Sequence, residues 1–104
     1  MKSFTATIAF LAATFPLTAV MGAADIPATF HLTSHKIAVV PAGGWHVNEG
    51  YPWRARTTTG EVVPFKLKWN EAVAEPPPGD VTVIGGLCSA TTCITFKKNL
   101  TVPK

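Results

Sequence analysis

The fold class is decided by the stretch Phe65-Lys66-Leu67-Lys68-Trp69, along which apolar and basic side chains alternate. A period of two is that of a β-strand with one face buried and the other in water. The same alternation recurs at residues 30–33 and 81–83, and a short apolar run spans residues 37–40. The strand positions that we expect to face a core include Phe30, Leu32, Phe65, Leu67, Trp69, Val81, Val83, Ile94, Phe96, Leu100 and Val102.

Residues that interrupt β-structure lie between these stretches. Gly60 follows three threonines, Pro76-Pro77-Pro78-Gly79 is a stiff segment, and Gly85-Gly86 follows the valine-rich stretch. We expect turns or loops at these places and at Gly43-Gly44. After residue 24, no segment of about ten residues carries a helical stripe free of proline and glycine. The pattern predicts an all-β chain, with about six or seven short strands in a small immunoglobulin-like antiparallel β-sandwich.

The first 24 residues differ in character from the rest. Lys2 gives a positive start, Ile8 to Met21 is almost entirely apolar, and small residues follow up to Ala24. This order is typical of a signal peptide. The apolar run is about 14 residues and contains Pro16, whereas a membrane-spanning helix needs about 20. We therefore predict a signal peptide over residues 1–24 and an exported, periplasmic domain over residues 25–104 with no transmembrane span.

Composition excludes several classes of protein. The chain is 47% hydrophobic and 14% charged, which is too apolar for a disordered tail. Lys2 is the one charged residue before Asp25, so the predicted mature domain has eight basic and six acidic side chains. That balance lacks the concentrated basic stripe of a nucleic-acid binder, and the length leaves no room for a multi-domain enzyme. We expect no nucleic-acid partner and no cofactor.

Two histidines, His31 and His35, stand four residues apart. If both belong to one strand, their side chains are separated by roughly 13 Å along one face. A shared zinc ion needs both ring nitrogens within about 2.1 Å of it. We therefore expect a solvated strand face here and no metal site.

Aromatic residues are concentrated between residues 45 and 53. The segment contains Trp45, His46, Tyr51 and Trp53, with Pro52 fixing a turn. Large apolar rings left in water forfeit about 1.5 to 3 kcal/mol each, so these rings must pack on something. Two interpretations stay open: the loop closes the core, or it lines a binding site. Both hold together if the loop that covers the core also covers a reactive group.

Cys88 and Cys93 are the only cysteines. In an exported chain the default is a disulfide between them, because metal ligation would require a second pair of ligands at zinc-site spacing. The bridge closes a short loop, which stabilises a folded chain by roughly 2 kcal/mol in the chain-entropy model. No lysine, arginine or histidine stands beside either cysteine in the sequence. Spacing alone leaves both a static and an exchanging disulfide open.

Three segments carry a resemblance to a known family: Pro41-Ala42-Gly43-Gly44-Trp45-His46-Val47-Asn48, then Leu87 to Cys93, then the terminal strand Phe96 to Val102. Together they resemble the immunoglobulin-like N-terminal domain of the DsbD/ScsB group of bacterial thiol-disulfide reductant conductors, in a stand-alone exported form. The likeness covers most of residues 28 to 102. The sequence departs from the best-known members in its four-residue spacing between the cysteines and in Ile94-Thr95, which replaces an aromatic-proline-proline run.

The resemblance implies a function for the cysteine pair. It implies that Cys88 and Cys93 are a redox pair, that a membrane reductant conductor supplies electrons, and that a thioredoxin-like protein receives them. The aromatic loop at Trp45, His46, Tyr51 and Trp53 would then shield the two sulfurs. The alternative is a non-catalytic structural or partner-binding module whose disulfide is static.

Overall fold

The computed structural model describes residues 25–104, so the predicted signal peptide lies outside the described residues. The described chain is all-β, as the alternating pattern predicts. Its nine strands are β1 (Ala28–Thr33), β2 (Lys36–Pro41), β3 (His46–Val47), β4 (Arg54–Thr57), β5 (Val62–Pro64), β6 (Lys66–Lys68), β7 (Glu71–Ala74), β8 (Gly79–Cys88) and β9 (Cys93–Val102). No helix among residues 25–104 is long and apolar enough to cross a bilayer.

The strands form two antiparallel sheets. One sheet has the order β1-β2-β7-β6. In the other, β8 pairs with β9 on one side and with β3 and β4 on the other, while β5 adds to β4. This is the strand order of immunoglobulin-type sandwiches, whose two sheets contain strands ABED and CFG. Here β3 and β4 together occupy the position of strand C. The predicted antiparallel sandwich is therefore confirmed.

The core lies between the two sheets. Val81, Val83 and Leu87 of β8 point into it and are almost fully buried. Trp53 packs edge-to-face against two phenylalanines, with ring centroids 5.5 Å from Phe65 and 5.4 Å from Phe96. Aromatic pairs in this geometry contribute about 0.5–1.5 kcal/mol each beyond the area they bury. The other buried residues are mainly small aliphatic ones around this aromatic cluster.

The predicted turns at Gly60 and at Pro76–Gly79 are confirmed. Gly60 has a φ of 92° in the connection between β4 and β5. The proline-rich segment connects β7 to β8, with Pro76 fully buried and Gly79 at a φ of 121°. Gly44 also lies in a turn, at a φ of 84°. A positive φ is accessible to glycine without steric cost, which explains these choices.

The prediction of a turn at Gly85-Gly86 is wrong. Both glycines lie inside β8, where they pair with Phe96 and Thr95 of β9. A Cβ atom built on Gly85 would lie 2.7 Å from Cε3 of Trp53, and one on Gly86 would lie 3.2 Å from Cβ of Tyr51. The glycines are thus required by the aromatic side chains that lie against the strand, not by a change of chain direction.

Two further expectations are wrong at the ends of strands. Trp69 was expected in the core, but β6 ends at Lys68 and Trp69 is 65% exposed in the β6–β7 turn. His35 lies in the turn after β1 and not in the strand, with a φ of 58°. At Trp69 the alternation continues one residue past the end of β6, whereas before His35 it has already ended at the polar residues Thr33 and Ser34.

Candidate functional site

The predicted disulfide between Cys88 and Cys93 is confirmed, with an S–S distance of 2.09 Å. Cys88 is the last residue of β8, Cys93 is the first residue of β9, and the two are directly opposite in the ladder. Their Cα atoms are 4.0 Å apart. The bridge therefore crosses the open end of a hairpin whose two strands are already paired along their entire length.

The turn that joins the two cysteines is held by its own hydrogen bonds. The backbone N–H of Ser89 donates to the carbonyl oxygen of Thr92 at 2.7 Å. The Oγ atom of Ser89 accepts from the backbone N–H groups of Thr91 and Thr92 at 3.3 and 3.2 Å. Since this turn is closed without the sulfurs, we expect it to keep its shape when the bridge is reduced.

The two cysteines differ in their exposure. Cys88 is 8% exposed, whereas Cys93 is exposed. Val81, Val83, Gly85 and Leu87 alternate towards the core, so Cys88 points to the outer face of its sheet. The disulfide therefore lies on the outer surface, with Cys93 as its accessible half.

β8 pairs with β3 on the side away from β9, and His46 of β3 is the residue nearest to Cys88 there. In the pairing of β3 with β8, His46 is directly opposite Cys88, so both side chains lie on the outer face. Paired residues on one face have Cβ atoms about 4.5–5.5 Å apart. The sequence places no basic residue beside the cysteines, but the sheet does: His46, Cys88 and Cys93 form a row across β3, β8 and β9.

The orientation of the His46 ring is fixed by two contacts. Its ring stacks on that of Trp69, with centroids 3.7 Å apart and planes 8° from parallel. Its Nδ1 atom lies 3.1 Å from the carbonyl oxygen of Val47. Because a carbonyl only accepts, this hydrogen bond requires a proton on Nδ1. The carbonyl oxygen of Trp69 also accepts from the N–H of Val47 at 2.9 Å. This backbone bond keeps Trp69 next to His46.

The aromatic segment is an interruption of one strand and not a free loop. β3 and β4 pair with successive parts of β8, and residues 48–53 bulge out between them, opposite Gly85 and Gly86. The N–H of Asn48 donates to the carbonyl oxygen of Gly86 at 3.0 Å, which anchors the start of the bulge. This arrangement directs one aromatic ring to each face of β8.

The four aromatic-segment residues therefore separate into two groups. Trp53 covers Gly85 on the core side, and its indole N–H is buried without a hydrogen-bond partner. Trp45 is half-buried and, like Tyr51, packs against the core. Tyr51 covers Gly86 on the outer side, next to Cys88 along β8, and His46 is opposite Cys88. Of the four, only His46 and Tyr51 lie beside the disulfide on its own face.

A second feature of this outer face lies at the far end of the sheet. A shallow depression of about 470 Å³ is lined by residues that include Arg56, Asp80 and Asn99. Several of its polar groups already bond to one another: Thr82 Oγ1 donates to Asn99 Oδ1 at 2.9 Å, and Thr101 Oγ1 donates to Asp80 Oδ1 at 2.7 Å. Within residues 25–104 no group of three or more His, Cys, Asp or Glu side chains has metal-binding geometry.

No protein-family model, curated protein or solved structure matches this chain significantly. The resemblance to reductant conductors is thus a hypothesis about function that must be argued from the site itself. The features that bear on it are the exposed Cys93, the less accessible Cys88, and His46, which the β3–β8 pairing places opposite Cys88 and whose ring stacks on Trp69.

Proposed function

We propose that this protein is an exported, periplasmic thiol-disulfide carrier, in which the Cys88–Cys93 pair alternates between disulfide and dithiol. The observation that carries the proposal is the position of the bridge: it joins paired ends of β8 and β9, on the surface, with Cys93 exposed. A bridge closing so short a loop stabilises little. An accessible sulfur, in contrast, is what exchange with a partner requires.

The exchange has a direction that follows from accessibility. A thiolate of a partner dithiol attacks Sγ of Cys93, a new S–S bond forms between them, and the Cys88–Cys93 bond breaks. Cys88 leaves as a thiolate and takes a proton from solvent. The partner's second thiolate then attacks the partner's own sulfur in the mixed disulfide and releases Cys93. The partner is oxidised to a disulfide, and this pair is reduced to two thiols.

His46 supports this direction. A group able to carry positive charge beside a sulfur favours the thiolate over the thiol. His46 is opposite Cys88, the leaving sulfur, and on the side away from Cys93. His46 is therefore the basic residue on the side of the leaving sulfur, with its ring stacked on Trp69, while the path to Cys93 stays open.

The partners of the proposed carrier are of two kinds. A membrane reductant conductor would supply electrons, and a thioredoxin-like protein would receive them, as the resemblance implies. The exposed indole of Trp69 stacks on His46, at the end of the row His46, Cys88 and Cys93 that is farthest from Cys93. Exposed tryptophans are enriched at the energetic centres of protein interfaces, which makes this ring a contact for either partner.

The proposal is tested by trapping. In Cys88→Ser, the remaining Cys93 thiol is exposed and is expected to form a mixed disulfide with a thioredoxin-like protein in its oxidised form, which is trapped by alkylating the second thiol that the partner releases. In Cys93→Ser, the remaining Cys88 is nearly buried and is expected to react at least tenfold more slowly. Equal trapping by both variants, or by neither, would contradict a carrier that is entered through Cys93.

The alternative function is a structural or partner-binding module with a static bridge. It is favoured by the burial of Cys88 and by the small size of the described domain, for which about 2 kcal/mol is a useful share of a total stability near 5 kcal/mol. The two functions differ in what reduction does. A static bridge resists physiological reductants, and its loss weakens the fold.

A further inference from the structure

Among the described residues, the outer edge of β9 is unpaired along the whole strand. β9 is ten residues long, and within residues 25–104 it pairs only with β8. An edge of this length presents a row of backbone N–H and C=O groups to which another extended chain can add. The exposed Cys93 is the first residue of this edge.

The register of the hairpin shows which backbone groups point outward. Residues paired across an antiparallel ladder are about 5.5 Å apart when they share hydrogen bonds and about 4.5 Å apart when they do not. The Cα distance of 4.0 Å assigns Cys88 and Cys93 to the second kind. The next pair, Ser89 and Thr92, is hydrogen-bonded. The N–H and C=O groups of Cys93 therefore point away from β8, as do those of Thr95 and Lys97.

A strand added antiparallel to this edge would form a hydrogen-bonded pair with Cys93. The opposite residue would have its Cα atom about 5.5 Å from that of Cys93 and its side chain on the same outer face. Disulfide-bonded residues have Cα atoms about 4.4–6.8 Å apart. A cysteine at that position is thus within reach of Cys93 without any change in the sheet.

We propose that the open edge of β9 is the docking site for an extended, cysteine-bearing segment of the partner protein, which adds to the sheet as a further strand. This inference rests on the proposed function and supplies its partner geometry. The order of strands would then place the partner's sulfur, Cys93 and Cys88 in a row. Displacement at sulfur requires the attacking and leaving sulfurs to lie in line with the central one, and this row meets that requirement.

The charge along the edge specifies the segment further. Lys97 lies on the same face as Cys93, four residues along β9, and is exposed. In an antiparallel partner, the residue opposite Lys97 is four residues before the cysteine. Opposite charges in directly opposed positions stabilise a pair of strands, and like charges destabilise it. The partner segment that fits therefore has Asp or Glu four residues before its cysteine, with three other residues between them.

The test uses the purified protein in its oxidised form and the synthetic peptide Glu-Val-Thr-Val-Cys. The rate of mixed-disulfide formation is followed by mass spectrometry, with fragmentation to locate the bond. We expect the peptide to attach at Cys93. Its rate should be at least tenfold higher than that of the same peptide N-methylated at Thr, because the Thr N–H would otherwise bond to β9. N-methylation of the valine before the cysteine, whose N–H points away from β9, is the matched control and is expected to change the rate by less than threefold.

Charge reversal tests the register. Lys97→Glu is expected to lower the rate of mixed-disulfide formation with the glutamate peptide at least threefold. It is expected to raise that rate for the same peptide with Lys in place of Glu. Lys66→Glu, with the same net charge but on the other sheet, is the control and is expected to leave both rates unchanged. Equal rates for the two N-methylated peptides, or no response to Lys97→Glu, would overturn strand addition at this edge.

Failure of the docking inference is distinguishable from failure of the carrier function. Dithiothreitol needs no strand to reach Cys93, so its rate of reduction reports only on the bridge. A bridge that dithiothreitol reduces, but that shows no preference among the peptides, removes the docking site and leaves the carrier. A bridge that is inert to dithiothreitol in the folded protein removes both.

Discussion

The indole ring of Trp53 lies directly on Gly85, so close that a Cβ atom at Gly85 would be 2.7 Å from Cε3 and 2.8 Å from Cδ2 and Cζ3. Trp53 is 4% exposed and is held by two other aromatic rings, so it has no free space into which to move. This contact joins the aromatic bulge to the strand that ends in Cys88. The position of β8, and hence of Cys88 at its end, therefore depends on how Trp53 packs in the core.

Gly85→Ala is expected to destabilise the fold by about 1–3 kcal/mol, the usual cost of forcing an added methyl group into a packed core. Gly43→Ala is the control, because a Cβ atom there meets nothing within 4 Å; its effect should be within about 0.5 kcal/mol. Urea unfolding followed by tryptophan fluorescence measures both. Equal stability of Gly85→Ala and the parent protein would show that the indole does not lie on this glycine.

The core role of Trp53 predicts a second stability change. Trp53→Ala is expected to cost about 3 kcal/mol or more, as for truncation of a large buried aromatic residue. Trp53→Phe should cost less than half as much, because it keeps a ring in the core and removes an indole N–H that is buried without a partner. Trp69→Ala, at a ring 65% exposed, should cost under about 0.5 kcal/mol. A small loss for Trp53→Ala would instead make the aromatic bulge a binding surface.

The local pattern of the sequence is sufficient to predict the strands but not what lies across them. Alternation at Val81 and Val83 predicts β8 correctly, since side-chain direction in a strand depends only on the neighbouring residues. Gly85-Gly86 has the same appearance in a turn and in a strand. The difference is made by Trp53 and Tyr51, about thirty residues earlier in the chain.

The candidate site has the same non-local character. A disulfide between Cys88 and Cys93 follows from their being the only pair in the chain. The placement of His46 opposite Cys88 depends on β3 pairing with β8, about forty residues away. Trp69 reaches His46 from a turn of the other sheet. Neither contact leaves a signal in the neighbourhood of the cysteines, so single-sequence reasoning misses both.

His46 is expected to act on the sulfurs and not on the fold. His46→Phe keeps a flat ring to stack on Trp69 but removes both ring nitrogens, so no basic side chain remains at the position opposite Cys88. We expect reduction by dithiothreitol to slow by about threefold to tenfold and the reduction potential to fall, with the fold retained. His31→Phe, exposed on the other sheet, is the control. Unchanged rate and potential in His46→Phe would leave His46 with no part in the exchange.

The proposed export depends on the amino-terminal segment. Because Lys2, the apolar run and the small residues up to Ala24 are typical of a signal peptide, we expect the mature protein to begin within a residue or two of Asp25. Intact mass spectrometry of material from the periplasm measures this. A mature species that retains residues 1–20 would contradict the signal peptide and, with it, the periplasmic location.

The reduction potential of the Cys88–Cys93 bridge tests the carrier function most directly. Structural bridges in exported proteins lie below about −300 mV, while exchanging pairs lie roughly between −120 and −270 mV. Equilibration of the protein in a graded dithiol buffer, with trapping of free thiols and circular dichroism on the same samples, locates the potential and reports on the fold. We predict a value above about −270 mV and a reduced form that stays folded, because the β8–β9 ladder and the Ser89 turn hold the hairpin without the sulfurs. A potential below about −300 mV, or unfolding on reduction, would contradict the carrier and make the static structural module the function of this domain.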